Sequence, residues 1–308
     1  MILDTIPYAK TFTLVVGTSV RKSLPVLQAY LQSLAWQELP PNVKVTYVFC
    51  ADWETPDSEA EAYLRQWVAE RGGMVFSGHR GGGGDYADSG GATHQWTASS
   101  MARVGANKNE LLQRALGMGA DGVWLVDADL ICDVSTLRSL WDCNAPIACA
   151  VYWTHWHRSP AGDALSAAPQ VWLRHPYQLD GRGIESWQFR KALLERQRVK
   201  VWGQGACTLI RSEVLQKGVN FAYIPGISME GMMAGEDRHF CLRAEALHCD
   251  MFADAWPDIF HIYHDSDLPQ VPEMLARLSA PHPDKAGLND LVNLTLECLE
   301  PVHHAWQF

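Results

Sequence analysis

Hydrophobic and polar positions in this chain switch between a period of two and a period near 3.6, and the switching predicts a series of elements. Phe12-Thr-Leu-Val-Val16 is a short apolar run and reads as a first strand. Leu24, Leu27, Tyr30, Leu31 and Leu34 then recur at helical spacing, until Pro40-Pro41 breaks the chain. Residues 43–49 alternate as a second strand ending near Asp52, residues 59–70 form a second helix, and residues 74–76 a short third strand. Strand, helix, strand, helix, strand is the rhythm of a parallel α/β sheet. In such sheets ligands bind beyond the carboxyl ends of the strands. Thr18, between Gly17 and Ser19, and Asp52, after Ala51, therefore fall on the expected ligand rim.

Residues 77–106 have neither period. Gly81-Gly-Gly-Gly84 and Gly90-Gly91 sit among Ser, Asp and Thr, and no Lys-Ser or Lys-Thr follows, so this is not a P-loop. Long loops in compact domains are functional or disordered. This one reads as a lid over the site, closed by His94 and by Trp96, a candidate stacking surface. A helix with Leu111, Leu112, Ala115 and Leu116 on its buried face begins near Val104. Lys108 lies in its first turn, where the helix dipole mildly disfavours a cation. That position suits a Lys facing an anion such as a diphosphate, or a solvated side chain.

Gly122-Val-Trp-Leu-Val126 reads as a strand buried on both faces, and it stops at Asp127-Ala-Asp129. Asp133 can cap a following helix that carries Leu137 and Leu140. Residues 147–152 form another strand, Trp153-Thr-His-Trp-His157 follows, and a Pro/Gly/Ala stretch runs to Ala168. His155 and His157, two apart, read as ligands or as polar rim groups, the commoner case. Residues 186–198 are helical, with Arg190, Lys191, Arg196 and Arg198 forming a basic surface. Strands at 199–203 and 206–211 surround Gly203-Gln-Gly205, where the backbone can be approached closely. Gly218 stops a short helix from Ser212. Gly235 releases the chain into a helix that starts at Glu236-Asp237 and turns Phe240, Leu242 and Leu247 inward. A strand covers residues 249–253, and an amphipathic terminal helix begins at Gly287. With no internal repeat or compositional break, the expectation is one domain over 1–308. Its nucleotide-holding half is about 10–130, its acceptor half about 131–268, and 269–308 is a C-terminal helical segment.

Composition narrows the classes. A hydrophobic content of 47% in 308 residues supports a sizeable core. The net charge of −10 argues against a broad phosphate-binding face, leaving only local basic contact to nucleic acid. No stretch reaches the roughly 18 apolar residues of a membrane span. Met1-Ile-Leu-Asp-Thr-Ile-Pro lacks the basic region and apolar core of a secretory signal. The 8 cysteines are scattered with no Cys-x-x-Cys pair, which fits buried thiols in a reducing cytoplasm. The 13 tryptophans serve as core or as platforms on which sugars and bases stack.

The chemistry concentrates at four places. Asp127 and Asp129, at i and i+2 on a strand end, point the same way and repel unless a cation lies between them. Oxygen ligands of this kind suit Mg²⁺ or Mn²⁺ held together with a substrate diphosphate; a solvated turn is the plain alternative. Asp52 can accept hydrogen bonds from a base or ribose, or serve as a turn residue. Glu236 and Asp237 favour a helix start on dipole grounds alone, yet a carboxylate there is also well placed as a general base. His261 and His264 are candidate metal ligands, or one is a buried structural histidine.

In this order, the pieces resemble the GT-A fold glycosyltransferases, in particular the inverting family-two-like enzymes, over roughly residues 12 to 265. The resemblance rests on five segments. These are strand 12–16 with the second strand ending at Asp52, Asn107-Lys-Asn-Glu before Gly122–Asp129 (an Asp-x-Asp, or DXD, approach), Trp202-Gly-Gln-Gly-Ala206, Gly235-Glu-Asp, and His261 to His264. It implies a Rossmann-like, mostly parallel sheet flanked by helices, with donor and acceptor halves in one domain. It implies a metal-dependent, inverting hexosyltransferase using a nucleotide-diphosphate sugar, with a UDP-sugar favoured. Asp52 would bind the base or ribose, and Asp127 ribose or a metal-bound water. Asp129 would ligate Mn²⁺ or Mg²⁺, completed by His261 or His264. Asp237 would be the general base, with Glu236 on the acceptor side. The chain departs from the family at Ala51-Asp52-Trp53, where two consecutive acids are usual, and in its longer 77–106 segment. The acceptor would be a saccharide, a modified nucleic acid base or a protein hydroxyl. A sugar nucleotidyltransferase, or a non-catalytic carbohydrate- or nucleic-acid-binding protein on the same fold, are the competing readings.

Overall fold

Apolar side chains on both faces of the same strands require helices on both faces of the sheet, and the computed structural model has them. The structure describes residues 10–53, 58–79, 97–158, 164–173, 184–227 and 235–280. The first half runs β1 (Phe12–Gly17), β2 (Ser19–Val20), α1 (Leu24–Ala35), β3 (Val43–Ala51), α2 (Glu59–Arg71), β4 (Gly73–Ser77), α3 (Ala98–Gly117) and β5 (Gly122–Val126). Its strands pair in parallel throughout: β1 lies between β3 and β5, and β3 also carries β2 and β4.

The second half continues with β6 (Leu130–Cys132), α4 (Thr136–Asp142), β7 (Ile147–Ala150), β8 (Trp153–Arg158), β9 (Ala164–Pro169) and β10 (Val171–Trp172). Then come α5 (Ile184–Leu194), β11 (Arg198–Val201), β12 (Gly203–Gln204), β13 (Cys207–Arg211), α6 (Ser212–Gln216), α7 (Glu236–Ala246), β14 (Met251–Asp254) and β15 (Ile259–His261). A 3-10 turn over Asp265–Gln270 leads into α8 (Val271–Leu278). The central sheet has the order β11-β14-β7-β13-β5-β1-β3-β2, with β4 also on β3. It is mostly parallel. The reversals are β13, antiparallel to both β5 and β7, and β11, antiparallel to β14.

Alternation along the central strands divides the core in two. Leu14, Val16, Trp124 and Val126 pack with Leu27 and Leu31 of α1, Leu64 of α2 and Leu137 of α4. Val15, Val123 and Leu125 face the other way, against Leu111 and Leu112 of α3, Val214 of α6 and Phe240 of α7. Each such side chain contributes about 1.5–3 kcal/mol by leaving water. At Gly17 the sheet leaves no room for a side chain, since a Cβ there would lie 1.7 Å from the Val48 carbonyl oxygen.

The structure also moves several boundaries. α3 starts at Ala98, closed by a reciprocal cap between Thr97 and Ser100, so six residues assigned to the lid before Val104 are helical. The earlier turns carry only Met101 as a large apolar residue among Ala, Ser and Arg, too few to show the period before Val104. The Pro/Gly/Ala stretch contains a β8–β9 hairpin. On α7 the buried apolar residues are Phe240, Cys241 and Ala244; Leu242 is half-buried, and Leu247, at the C-cap, is exposed. Trp96, the glycine run 81–84 and the terminal helix expected from Gly287 lie outside the described residues. No described helix is long and apolar enough to cross a membrane.

Three of the four basic residues expected on 186–198 pair with groups elsewhere in the fold, while Lys191 pairs with Glu195 at the surface. Arg190 lies over the Trp153 ring, Arg196 pairs with Asp258 at 2.7 Å, and Arg198 pairs with Asp254 at 3.0 Å.

Candidate functional site

β5 delivers its two acids to the carboxyl edge of the sheet through a tight turn. The Asp127 amide donates to Ala206 O at 2.9 Å, and Leu130 N donates back to Asp127 O at 3.1 Å. β13 runs antiparallel beside β5 with Cys207 opposite Val126, which brings the Gly205-Ala206 backbone against this turn. The Asp127 carboxylate accepts a hydrogen bond from Thr18 Oγ1 at 3.1 Å, so the two rim positions predicted from separate strands meet. Burial raises the Asp127 carboxyl above its ordinary value. Lys108 opposes that shift, and the nearby Asp129 and Glu236 reinforce it.

Asp129 meets its partners through a second register. β15 pairs antiparallel with β6, His261 opposite Leu130, and Ile262 N donates to Asp129 O at 2.9 Å. His261 Nε2 thereby comes within 3.7 Å of Asp129 Oδ2. Its other ring nitrogen is 2.9 Å from Thr154 Oγ1, the second contact that orients a histidine ring. Lys22 Nζ lies 2.6 Å from the same Asp129 oxygen. His264 Nε2 instead sits 2.8 Å from the His155 carbonyl oxygen.

The second pair of acids comes from α7. Gly235, at φ +121°, turns the chain into the helix so that Glu236 and Asp237 occupy its first turn. α3 packs closely there because residue 105 is glycine, where a Cβ would lie 3.1 Å from Glu236 Cβ. Lys108, three residues further along α3, is only 2% exposed and places its ammonium 2.7 Å from Glu236 Oε1 and 3.1 Å from Asp237 Oδ1. Burial alone would lower Lys108, but Asp237, Glu236 and Asp127 hold it well above its ordinary value. The anion that Lys108 faces here is thus a pair of protein carboxylates. Asp237 is pushed up to about 7, first by burial and further by Glu236 and Asp127, against the opposing pull of Lys108.

Asp52 is buried beside Arg103 of α3, with 3.2 Å between Oδ2 and Nε. Burial raises its carboxyl, and Arg103 and Asn107 oppose the rise. Asn107 also donates to Ser19 Oγ at 3.1 Å and accepts from the His79 amide at 2.9 Å, tying three strand ends together. Arg103 and Lys22 were missed from sequence. One signal existed: Ser100, Arg103, Asn107 and Lys108 continue the buried face of α3 with polar residues. A buried polar face needs partners, and here they come from the strand ends.

Among the described residues no three His, Cys, Asp or Glu side chains are spaced to hold a metal ion. Asp129 and His261 nevertheless suit one. Their 3.7 Å separation can be spanned by a single ion with bonds of about 2.1 Å, and a carboxylate–imidazole pair suits Mn²⁺ better than the harder, oxygen-preferring Mg²⁺. The Lys22 ammonium against the same oxygen marks it as a cation-binding position.

No family model matches the sequence, and no curated protein matches it. Several solved structures follow a similar chain path. One is TarS of S. aureus, with 13% identity, 94% of this chain and 43% of that chain covered, and a TM-score of 0.47. GalNAc-T7, solved with UDP, GalNAc and Mn²⁺, has 13% identity, 93% and 48% coverage, and a TM-score of 0.48. The mannosyltransferase PcManGT from Pyrobaculum calidifontis, in complex with GDP-Man and Mn²⁺, has 13% identity, 95% and 72% coverage, and a TM-score of 0.42. The chain spans less than half the length of TarS and GalNAc-T7.

Proposed function

We propose that this chain is a metal-dependent, inverting glycosyltransferase that moves a hexose from a nucleotide-diphosphate sugar, UDP-linked by preference, to an acceptor hydroxyl. One observation carries the reading. Two pairs of acids far apart in sequence, Asp127/Asp129 and Glu236/Asp237, converge at the carboxyl edge of an α/β sheet, with Lys108 between them. In this reading Asp127, held by Thr18, faces the nucleoside on the rim beneath which Asp52 is buried, and Asp129 with His261 holds Mn²⁺ or Mg²⁺. The metal, when bound, supplies charge neutralisation for the leaving diphosphate.

Asp237 removes the acceptor proton. As the acceptor oxygen bonds to the anomeric carbon, the carbon–diphosphate bond breaks and the hydroxyl proton passes to the Asp237 carboxylate. Its elevated value of about 7 matches that task, because a general base works best when its pKa lies near the working pH. Lys108 keeps Asp237 and Glu236 oriented. The acceptor half carries Trp153, Trp172 and Trp202; Arg190 lies over Trp153, and Trp153 and Trp172 pack on the core, so the acceptor stays a saccharide, a modified nucleic acid base or a protein hydroxyl. The seven described cysteines are all free thiols, which fits a reducing compartment such as the cytoplasm.

Calorimetric titration with UDP, with and without Mn²⁺, tests the proposal on the native chain and on Asp129→Ala. Binding that requires both the metal and Asp129 is expected. Preference for a nucleoside triphosphate would favour a sugar nucleotidyltransferase. Binding to no nucleotide would sink both and leave a non-catalytic protein.

A further inference from the structure

The cation at the Asp-Ala-Asp turn belongs to the protein itself. Lys22 Nζ is 2.6 Å from Asp129 Oδ2, the oxygen that His261 Nε2 also approaches. The Lys22 side chain is 17% exposed and that of Asp129 7%, so water screens the pair little. The Lys22 backbone is fixed, its carbonyl accepting from Trp53 Nε1 at 3.2 Å, one residue before the N-cap of α1.

Charge distribution separates the two site lysines. The described site has four carboxylates, Asp127, Asp129, Glu236 and Asp237, and two ammonium groups. Lys108 is fully enclosed and shared by Glu236 and Asp237. Lys22 stands at the rim on a flexible four-carbon stem, a mobile point charge suited to binding phosphate. A divalent ion that takes Asp129 Oδ2 repels the ammonium at hydrogen-bond distance from the same oxygen and weakens that contact. A diphosphate held by the same metal would offer the ammonium a new anion within reach.

From this geometry we infer that Lys22 is an exchangeable counter-cation and a diphosphate ligand. It neutralises Asp129 before metal arrives, is expelled by the metal, and then binds the donor diphosphate. The inference rests on the transferase reading above. It makes metal and diphosphate binding mutually dependent, because metal alone weakens the Lys22–Asp129 pair without supplying the diphosphate that would take up the ammonium.

The test compares native protein with Lys22→Met and Lys22→Arg. Free Mn²⁺ is measured by electron paramagnetic resonance without nucleotide, and UDP affinity by calorimetry in saturating Mn²⁺. Lys22→Met is expected to bind Mn²⁺ alone at least about fivefold tighter, and UDP in Mn²⁺ about tenfold weaker. Lys22→Arg keeps the charge and is expected to retain the coupling, with Mn²⁺ alone bound no tighter than native and UDP in Mn²⁺ no weaker than in Lys22→Met. Opposite signs for the two ligands also rule out simple misfolding. Native protein that binds Mn²⁺-UDP, with Lys22→Met unchanged or weakened for Mn²⁺ alone, overturns the exchange and spares the transferase reading. Unchanged UDP affinity in Lys22→Met overturns the diphosphate role. Native protein that binds neither Mn²⁺ nor UDP overturns both readings.

Discussion

Replacing Lys108 by Met tests the electrostatic centre of the site without knowledge of any substrate. The substitution keeps the apolar stem and deletes the ammonium that lies 2.7 Å from Glu236 and 3.1 Å from Asp237. At 3.1 Å the attraction between unit charges is about 5 kcal/mol at an effective dielectric near 20. The Asp237 side chain keeps 25% of its surface, so water screens part of this. We take about 2 kcal/mol as the effective loss at Asp237, which raises its carboxyl by about 1.5 pH units at 1.36 kcal/mol each.

The sign follows from proton linkage. Asp237 stands at about 7 in the folded chain against 3.8 ordinarily, so the folded state holds its proton more tightly. Stability from this group therefore declines as pH rises from about 4 to about 7, and is level above that. In Lys108→Met the decline continues to about pH 8.5. Lys108 itself, held above its ordinary value, stays charged over this range and adds no slope. Urea unfolding followed by circular dichroism at pH 6, 7, 8 and 9 should show a total deficit of about 3–5 kcal/mol at pH 9, the usual cost of breaking a buried pair. About 2 kcal/mol of it should appear only above pH 6. A deficit below about 1 kcal/mol, or one constant across the series, would refute the placement of this ammonium between the two carboxylates.

Other predictions follow from the same geometry. Asp237→Asn should cut sugar transfer by about 10²- to 10⁴-fold while leaving Mn²⁺-dependent UDP affinity within twofold, and the native kcat/KM should rise with pH through about 7 as Asp237 loses its proton. Equal loss of binding and turnover would remove Asp237 from the base role. Arg103→Met removes the main cation beside the Asp52 carboxylate, whose side chain is 1% exposed, and leaves Asn107 and Arg21 to hold it. It should cost about 3 kcal/mol, more at pH 8 than at pH 5 because the carboxyl rises further. Denaturant midpoints at the two pH values check it, and equal losses would argue against the pairing. Gly17→Ala forces a Cβ toward the Val48 carbonyl and should destabilise by about 3 kcal/mol as β1 and β3 part. A melting temperature within about 2 °C of native would contradict the close approach.

The amino-acid order alone determined the alternation of strands and helices in the first half. The period of each element there follows directly from which face is buried, although the β1–β5 pairing itself spans more than a hundred residues. Leu27 and Leu31 of α1 and Leu111 and Leu112 of α3 were legible as core for this reason. The acids at the end of β5 and at the start of α7 were legible as chemistry because strand ends and helix starts are marked by residue type. Where those groups point was decided in three dimensions. The reversed strand β13 sets the backbone at Asp127, and the β6–β15 register sets His261 rather than His264 beside Asp129. Lys108 read as a cation awaiting a phosphate, because sequence spacing cannot show that Gly105 lets α3 close on α7, 128 positions from Lys108 to Glu236. Lys22 carried no signal at all. An ion pair depends on the distance between two atoms, and the chain fixes that distance only after the sheet has brought its edges together.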